Sequence, residues 1–93
     1  MQEPLDSETA RGYILRILDG TGMTVFTKRA KEALMRNDMT SGDAVNVLRG
    51  GRIGKGAETP SGWTYRAETP RMRVEFSIRP NELVIENAGR TNR

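Results

Sequence analysis

The spacing of apolar residues changes once along the chain, and this change limits the folds that are open to it. Up to about residue 50, apolar side chains recur every three or four residues, which is typical of one face of a helix. Beyond that point they alternate with polar side chains, as in strands that have one buried face. Helices followed by strands predict an α+β domain, with N-terminal helices packed on one face of a twisted, mainly antiparallel sheet of about four strands.

Three amphipathic helices are predicted in the first part, each preceded by a polar residue that can accept a hydrogen bond from the first turn. Between the first and the second, the segment MTVFT is β-branched and aromatic, which indicates a strand or an extended lead-in. The expected starts and stops are, in chain order, Asp6 or Ser7 with Gly20 or Gly22, then Thr27, then Thr40 or Ser41 with Gly50 or Gly51.

Four strands are predicted in the second part, with turns that contain proline or asparagine between them. Their sequences are RIGKGAE, GWTYRAE, RMRVEFSIR and ELVIENA. A chain of 93 residues fits a single domain. We therefore expect one domain over 1–93, with a helical part at about 6–50, a strand meander at about 52–89 and a frayed tail at 90–93. The scattered methionines are expected to fill gaps in its core.

Arginines are expected on the sheet face that the helices leave open. In the third strand one face carries apolar side chains and the other carries arginines. The apolar face has Met72, Val74, Phe76 and Ile78, and the other has Arg71, Arg73 and Arg79. Residues 49–79 hold seven basic and three acidic side chains, so the positive excess lies around the strands. Such a face could attract phosphate-bearing or acidic partners. It could equally be a solvated face. In that case the arginines would pair with glutamates of neighbouring strands, namely Arg71, Arg73 and Arg79 with Glu68, Glu75 and Glu86.

The composition excludes several kinds of chemistry. The chain has no cysteine and no histidine, so disulfides, thiol nucleophiles and the commonest metal ligands are not available to it. We expect no metal and no cofactor. The start, MQEPLDSETA, lacks the basic and then apolar pattern of a secretory signal, and no apolar run approaches the roughly 20 residues of a membrane span. A cytoplasmic location is therefore expected.

The stretch VFTKRAKEALMRNDMTSGDAVNVLRGG, followed by GWTYRAE, VEFSI and LVIENAGR, resembles a family of small bacterial proteins. These proteins are grouped with the RelE, MqsR and BrnT toxin fold and are often encoded beside MqsA-like antitoxins. The resemblance covers about residues 24–90. The residues that carry it are Phe26, Thr27, Arg36, Asp43, Val45, Leu48, Gly50, Trp63, Tyr65 and Arg66.

The resemblance implies a RelE-like toxin of a toxin–antitoxin pair, a metal-independent endoribonuclease that acts on messenger RNA. Its implied partners are an MqsA-like antitoxin and RNA or the ribosome. In such enzymes the ribose 2'-hydroxyl attacks the adjacent phosphate, which requires a base, an acid and cations for the charge that develops. The catalytic candidates here are Lys55, Tyr65, Arg66, Arg73 and Arg79, and the RNA-binding candidates are Lys28, Arg29, Arg52, Arg71 and Arg90. Lys55 would be the base if its surroundings were desolvated.

The chain departs from the family at one position of the second helix. Members commonly carry a histidine there, and this sequence has Arg29. If the histidine is catalytic in the family, loss of activity is expected here. If it is structural, Arg29 could pair with Glu32 or Asp43. The alternative function is a non-catalytic module that docks an acidic protein or a nucleic acid on its basic sheet face. Convergence of the five catalytic candidates on one concave surface would favour the enzyme.

Overall fold

The computed structural model describes residues 1–91, in which three helices accompany a mixed sheet of six strands. The helices are α1 (Ser7–Asp19), α2 (Lys28–Arg36) and α3 (Ser41–Gly50). The strands are β1 (Met23–Phe26), β2 (Arg52–Ile53), β3 (Ala57–Thr59), β4 (Gly62–Glu68), β5 (Met72–Arg79) and β6 (Glu82–Arg90). Within this part of the chain, none of the helices combines the length and the apolar character that crossing a membrane requires.

The helices begin where the capping residues of the sequence predict. The Asp6 carboxylate accepts a hydrogen bond from the backbone N–H of Thr9, and the Thr27 hydroxyl accepts one from Ala30. At α3 the bonding is reciprocal, because the Thr40 hydroxyl accepts from the Asp43 N–H while the Asp43 carboxylate accepts from the Thr40 N–H. Each cap satisfies backbone donors that have no partner within the helix.

The C-terminal end of α3 is held by side chains as well as by its own last turn, where the Gly51 N–H donates to the Val47 carbonyl at 2.7 Å. The Arg11 guanidinium on α1 donates to the carbonyl oxygens of Leu48, Arg49 and Gly51. A cation is favourable here because the last carbonyls of a helix are unpaired and carry partial negative charge. Arg49 in turn pairs with Asp19 at the end of α1, with 2.7 Å between Nη2 and Oδ1. These contacts fix α1 against α3.

The sheet has the strand order β1-β6-β5-β4-β2, and β3 pairs with β4 alongside β2. The predicted sheet of about four antiparallel strands is therefore too simple. The segment RIGKGAE forms two short strands, β2 and β3, separated by residues 54–56. The lead-in before α2 becomes the edge strand β1, which pairs parallel to β6 with Val25 opposite Val84. That pairing joins residues about 60 positions apart, which local sequence patterns do not reveal.

The α+β class is confirmed, and the core lies between the helices and one sheet face. From the sheet it takes Tyr65, Ala67, Val74, Phe76, Ile78, Leu83, Ile85 and Ala88. From the helices it takes Ala10, Ile14, Ile17, Ala30, Leu34, Ala44, Val47 and Leu48. Met39 is buried as expected, but Met23 and Met35 are exposed, so the core role predicted for those two is wrong. The opposite face of the sheet, called the open face below, carries mainly polar side chains.

The first two positions of the predicted frayed tail, 90 and 91, are held by the sheet. Arg90 is the last residue of β6, and the Thr91 N–H donates to the carbonyl of Arg71 at 2.9 Å. The remaining two positions of the predicted tail, 92 and 93, lie outside the described residues.

Candidate functional site

An open groove of about 800 Å³ lies at the end of the sheet where β4 finishes. Its walls come from segments that are far apart in the chain: the end of α3, β2, the end of β4, the turn at 69–71 and the residue after β6. The lining residues are Gly50, Arg52, Gly54, Arg66, Glu68, Thr69, Pro70, Arg71 and Thr91. We call it the arginine groove, because three of its walls present a guanidinium.

Strand register explains why charged side chains meet at this groove. Arg52 of β2 lies opposite Glu68 of β4, and Glu68 lies opposite Arg73 of β5. Residues that are directly opposite in adjacent strands project from the same face of a sheet, so these three form a row across the open face. Gly51 allows β2 to approach: a Cβ there would lie 2.6 Å from the Val47 carbonyl oxygen and 3.0 Å from the Glu68 nitrogen.

Two of the arginines at this end are held in place by neighbouring groups. Arg66 Nη2 lies 3.1 Å from Glu75 Oε2, across the β4–β5 pair. Arg73 Nη1 donates to the Arg90 carbonyl oxygen at 3.0 Å. A guanidinium that is already oriented loses less conformational entropy when it binds a ligand than a freely rotating one. Both side chains are therefore partly preorganised.

The turn that carries Arg71 is also ordered by hydrogen bonds. The Thr69 hydroxyl accepts from the backbone N–H groups of Arg71 at 3.2 Å and Met72 at 3.0 Å, which is the bonding of a tight polar turn. The Thr91 hydroxyl donates to the Pro70 carbonyl at 2.6 Å. Together these bonds fix the backbone of the turn, so Arg71 projects from a defined rim of the arginine groove.

Charge on the open face is uneven along the strands. At the groove end, four arginines, Arg52, Arg66, Arg71 and Arg73, face two glutamates, Glu68 and Glu75, an excess of two positive charges (4 − 2). At the other end Arg79 and Glu82 pair at 3.6 Å. In the middle, Glu86 accepts hydrogen bonds from Ser77 at 2.6 Å and Thr64 at 3.3 Å. The positive excess is therefore local to the groove.

Tyr65 lies on the core face and does not reach the groove. Its ring stacks on Phe76 with 5.9 Å between centroids. Its hydroxyl accepts from the Leu5 N–H at 2.9 Å and donates to Glu3 Oε2 at 2.8 Å. Burial raises the pKa of the Tyr65 phenol, and the carboxylate of Glu3 adds to this, against the opposing effect of the Leu5 hydrogen bond. The hydroxyl anchors the N-terminal segment to the core.

The five catalytic candidates consequently do not share one surface. Arg66 and Arg73 lie together at the groove end, whereas Arg79 is at the opposite end of β5. Lys55 is exposed in the link between β2 and β3. It therefore lacks the desolvated surroundings that a lysine needs to act as a general base. Of the three arginines considered for pairing with Glu68, Glu75 or Glu86, Arg79 pairs instead with Glu82, and within residues 1–91 Arg71 and Arg73 form no ion pair. Arg66, which was not among them, pairs with Glu75.

The RNA-binding candidates divide in the same way. Arg52 and Arg71 line the arginine groove. Lys28 and Arg29 are exposed in the first turn of α2, on the helical side of the sheet. Arg90 donates from Nε to the Asn37 carbonyl at 2.8 Å and from Nη2 to the Asp38 carbonyl at 2.9 Å, so it closes the end of α2.

The pairing considered for Arg29 is also not found in the described part of the chain. Within residues 1–91 it forms no ion pair with Glu32 or Asp43. The Asp43 carboxylate is engaged instead in the cap of α3, where it accepts from the Thr40 N–H at 2.9 Å.

Sequence reasoning missed Glu68 as a groove residue and missed a second cavity beside the groove. This cavity, which we call the side pocket, has a volume of about 340 Å³. Its lining residues are Asp43, Asn46 and Val47 of α3 with Thr69, Pro70, Arg71 and Met72. The polar turn at 69–72 was visible in the sequence, but its position against α3 depends on tertiary packing.

Comparison of the chain with protein-family models, with curated proteins and with solved structures finds no match. The resemblance to RelE-like toxins therefore stays a prediction. Among residues 1–91, no three acidic side chains come close enough together to form a metal site.

Proposed function

We propose that the protein binds single-stranded RNA by holding backbone phosphates in the arginine groove. The observation that supports this most directly is the collection of Arg52, Arg66 and Arg71 in one concavity, with Arg73 in the adjoining row. A guanidinium presents a planar fork of donors that matches the oxygens of a phosphate. Several such forks in one groove suit a ligand with phosphates at short, regular intervals.

The composition of the groove favours contacts to the backbone rather than to stacked bases. Its lining contains arginine, glutamate, threonine, proline and glycine, and no aromatic ring. Trp63 and Tyr65 pack with the core on the other face of the sheet. Phosphate contacts bind with little dependence on sequence, and they weaken as salt rises because counterions are released.

The test is a salt titration of RNA binding, followed by fluorescence anisotropy with a short labelled homopolymer. For a single strand, about 0.7 in the log–log slope is expected for each phosphate neutralised. The groove variant replaces Arg52, Arg66 and Arg71 with alanine. We expect its affinity for RNA to fall more than tenfold. If each arginine neutralises one phosphate, the slope of log affinity against log salt concentration should become shallower by about 2.

A matched control removes the same number of charges elsewhere. This control variant replaces three exposed residues with alanine. They are Arg16, Lys31 and Arg36, which lie on α1 and α2 away from the groove. We expect this control to bind nearly as well as the unaltered protein. Equal losses in both variants would mean that overall charge, rather than the groove, attracts RNA. If RNA does not bind but an acidic protein does, the docking-module alternative replaces the proposal.

A second candidate function is cleavage of the bound RNA, as the resemblance to RelE-like toxins implies. The observation that favours it is the place of Glu68, a half-buried carboxylate between Arg52 and Arg73 in the row across the open face. A carboxylate can take the proton of a ribose 2'-hydroxyl as its oxygen attacks the adjacent phosphorus, and neighbouring arginines can stabilise the charge that develops on the phosphate. The bond from phosphorus to the 5'-oxygen then breaks, and this oxygen takes a proton from water, which leaves a 2',3'-cyclic phosphate. Glu68 would then act in place of Lys55 and Tyr65.

Cleavage is tested by induced expression in bacterial cells, with growth and total messenger RNA followed over time. The unaltered protein should arrest growth with decay of messenger RNA. Glu68→Gln should relieve the arrest, whereas Glu58→Gln, an exposed change on β3, should not. Relief by co-expression of an MqsA-like antitoxin would support the proposed partner. Normal growth with intact messenger RNA would reject cleavage and leave RNA binding standing.

A further inference from the structure

The side pocket has two kinds of wall that together match a nucleobase. Val47, Pro70 and Met72 provide apolar surface, and Asp43 and Asn46 provide hydrogen-bonding groups from one side of α3. A nucleobase is likewise apolar on its faces and polar along its edge, and proteins bind unstacked bases through both features. The volume of about 340 Å³ leaves room for a purine.

The side pocket is also adjacent to the arginine groove. Thr69, Pro70 and Arg71 line both cavities. Arg71 is therefore at the junction, where its guanidinium can hold the phosphate of a nucleotide whose base has entered the pocket. A flexible single strand can place phosphate and base in neighbouring cavities in this way, whereas the bases of a duplex are stacked and paired.

We propose that the side pocket selects a guanine base of the RNA whose phosphates lie in the arginine groove. This inference rests on the proposed RNA binding. The selecting group is the Asp43 carboxylate, whose oxygens only accept hydrogen bonds when it is ionised. Within residues 1–91, Oδ2 accepts from the Thr40 N–H, and Oδ1 accepts no hydrogen bond.

Guanine is the base that a carboxylate selects because its pairing edge presents two adjacent donors, the N1–H and the N2 amino group. Adenine and cytosine present a ring-nitrogen acceptor beside their amino group, and uracil flanks its single donor with carbonyl oxygens. An acceptor placed against a carboxylate is left without a donor, which disfavours these three bases. The Asn46 amide, exposed on the same side of α3, can donate to a guanine acceptor.

The experiment compares short uridine-rich RNAs that contain one central guanosine, adenosine, cytidine or uridine, again by anisotropy. We expect the guanosine RNA to bind about tenfold more tightly than the other three, at the lower end of the discrimination that a bidentate base contact provides. Asp43→Asn should abolish the preference and leave affinity for the all-uridine RNA nearly unchanged. Asn46→Ala, which leaves the helix cap intact, should reduce the preference.

Thr40→Ala is the matched control, because it breaks the same capping box from its other side without altering the pocket lining. It should lower the thermal midpoint and retain the guanosine preference. Loss of the preference in Thr40→Ala to the same extent as in Asp43→Asn would assign it to the helix cap and overturn the inference. Equal, salt-sensitive binding of all four RNAs would overturn the guanine pocket alone, whereas absence of RNA binding would overturn the proposed function as well.

Discussion

The guanidinium of Arg73 lies against the backbone of Gly89, in the space that a side chain at position 89 would occupy. A Cβ on Gly89 would be 2.8 Å from Cζ and from both terminal nitrogens of Arg73. Glycine usually weakens the interior of a strand, and in a strand it often marks a close approach of this kind. Here it lets an arginine lie flat on the open face beside the row that leads to the arginine groove.

Replacement of this glycine should move Arg73 without disturbing the fold. In Gly89→Ala the clash involves the far end of a flexible side chain, so we expect the guanidinium to leave its place and RNA affinity to fall severalfold. The free energy of unfolding should change by less than about 1 kcal/mol. Gly12→Ala is the control, because a Cβ there meets no atom within 4 Å. An unchanged affinity in Gly89→Ala would show that the position of Arg73 is unimportant for binding.

The Tyr65 hydroxyl should contribute to stability through the N-terminal segment. Tyr65→Phe keeps the ring on Phe76 but leaves the buried Leu5 N–H without its acceptor. We expect a loss of about 1–2 kcal/mol in the free energy of unfolding, measured in urea. Removal of residues 1–5 should cost at least as much, since Leu5 belongs to the core. A neutral Tyr65→Phe would mean that water replaces the hydroxyl.

The raised pKa of Tyr65 predicts a loss of stability at alkaline pH. A phenol whose pKa is higher in the folded state than in the unfolded state is harder to ionise once the protein has folded. Stability is then unaffected below the unfolded pKa of about 10 and falls as pH rises above it toward the folded value. The unfolding free energy of Tyr65→Phe should fall less steeply above about pH 10. If the unfolding free energies of Tyr65→Phe and the unaltered protein changed in parallel with pH, the loss of stability could not be assigned to Tyr65.

Arg11 should be required as an arginine and not merely as a positive charge. Its guanidinium donates to several carbonyls at the end of α3, a fork that the single ammonium of lysine cannot reproduce. We expect Arg11→Lys to lose about 1 kcal/mol and Arg11→Ala about 2 kcal/mol of unfolding free energy. Arg16→Lys on the same helix is the control. Equal stability of Arg11→Lys and the unaltered protein would show that charge alone suffices.

The two ends of the open face should differ in their contribution to RNA binding. Arg71 lines the groove, whereas Arg79 is at the far end beside Glu82. We expect Arg71→Ala to reduce the salt slope by about 0.7, since it removes one phosphate contact, and Arg79→Ala to leave it unchanged. Reversed effects in a salt titration would place the RNA across the β5–β6 turn instead.

Much of the candidate site could not be predicted because its walls meet only in three dimensions. The sequence does place Arg73 and Arg79 on the face opposite the apolar residues, since alternation is a local property of strands. It does not show that Arg79 is remote from the arginine groove or that Arg90 turns back to α2. The bulge between Glu75 and Phe76, which shifts the pairing with β6, is likewise invisible in the alternation.

Local sequence patterns located the starts of all three helices to within one residue, and they indicated the α+β class and the buried face of β5. These features depend on neighbours within about four residues: Thr27 bonds to Ala30, and Phe76 follows Val74 on the same face. Tertiary packing produces the parallel edge strand, the anchoring of Leu5 by Tyr65, and the placement of Arg52 and Arg71 in one groove. Such contacts join distant segments, and their free energy depends on the packing of the whole core rather than on any local pattern.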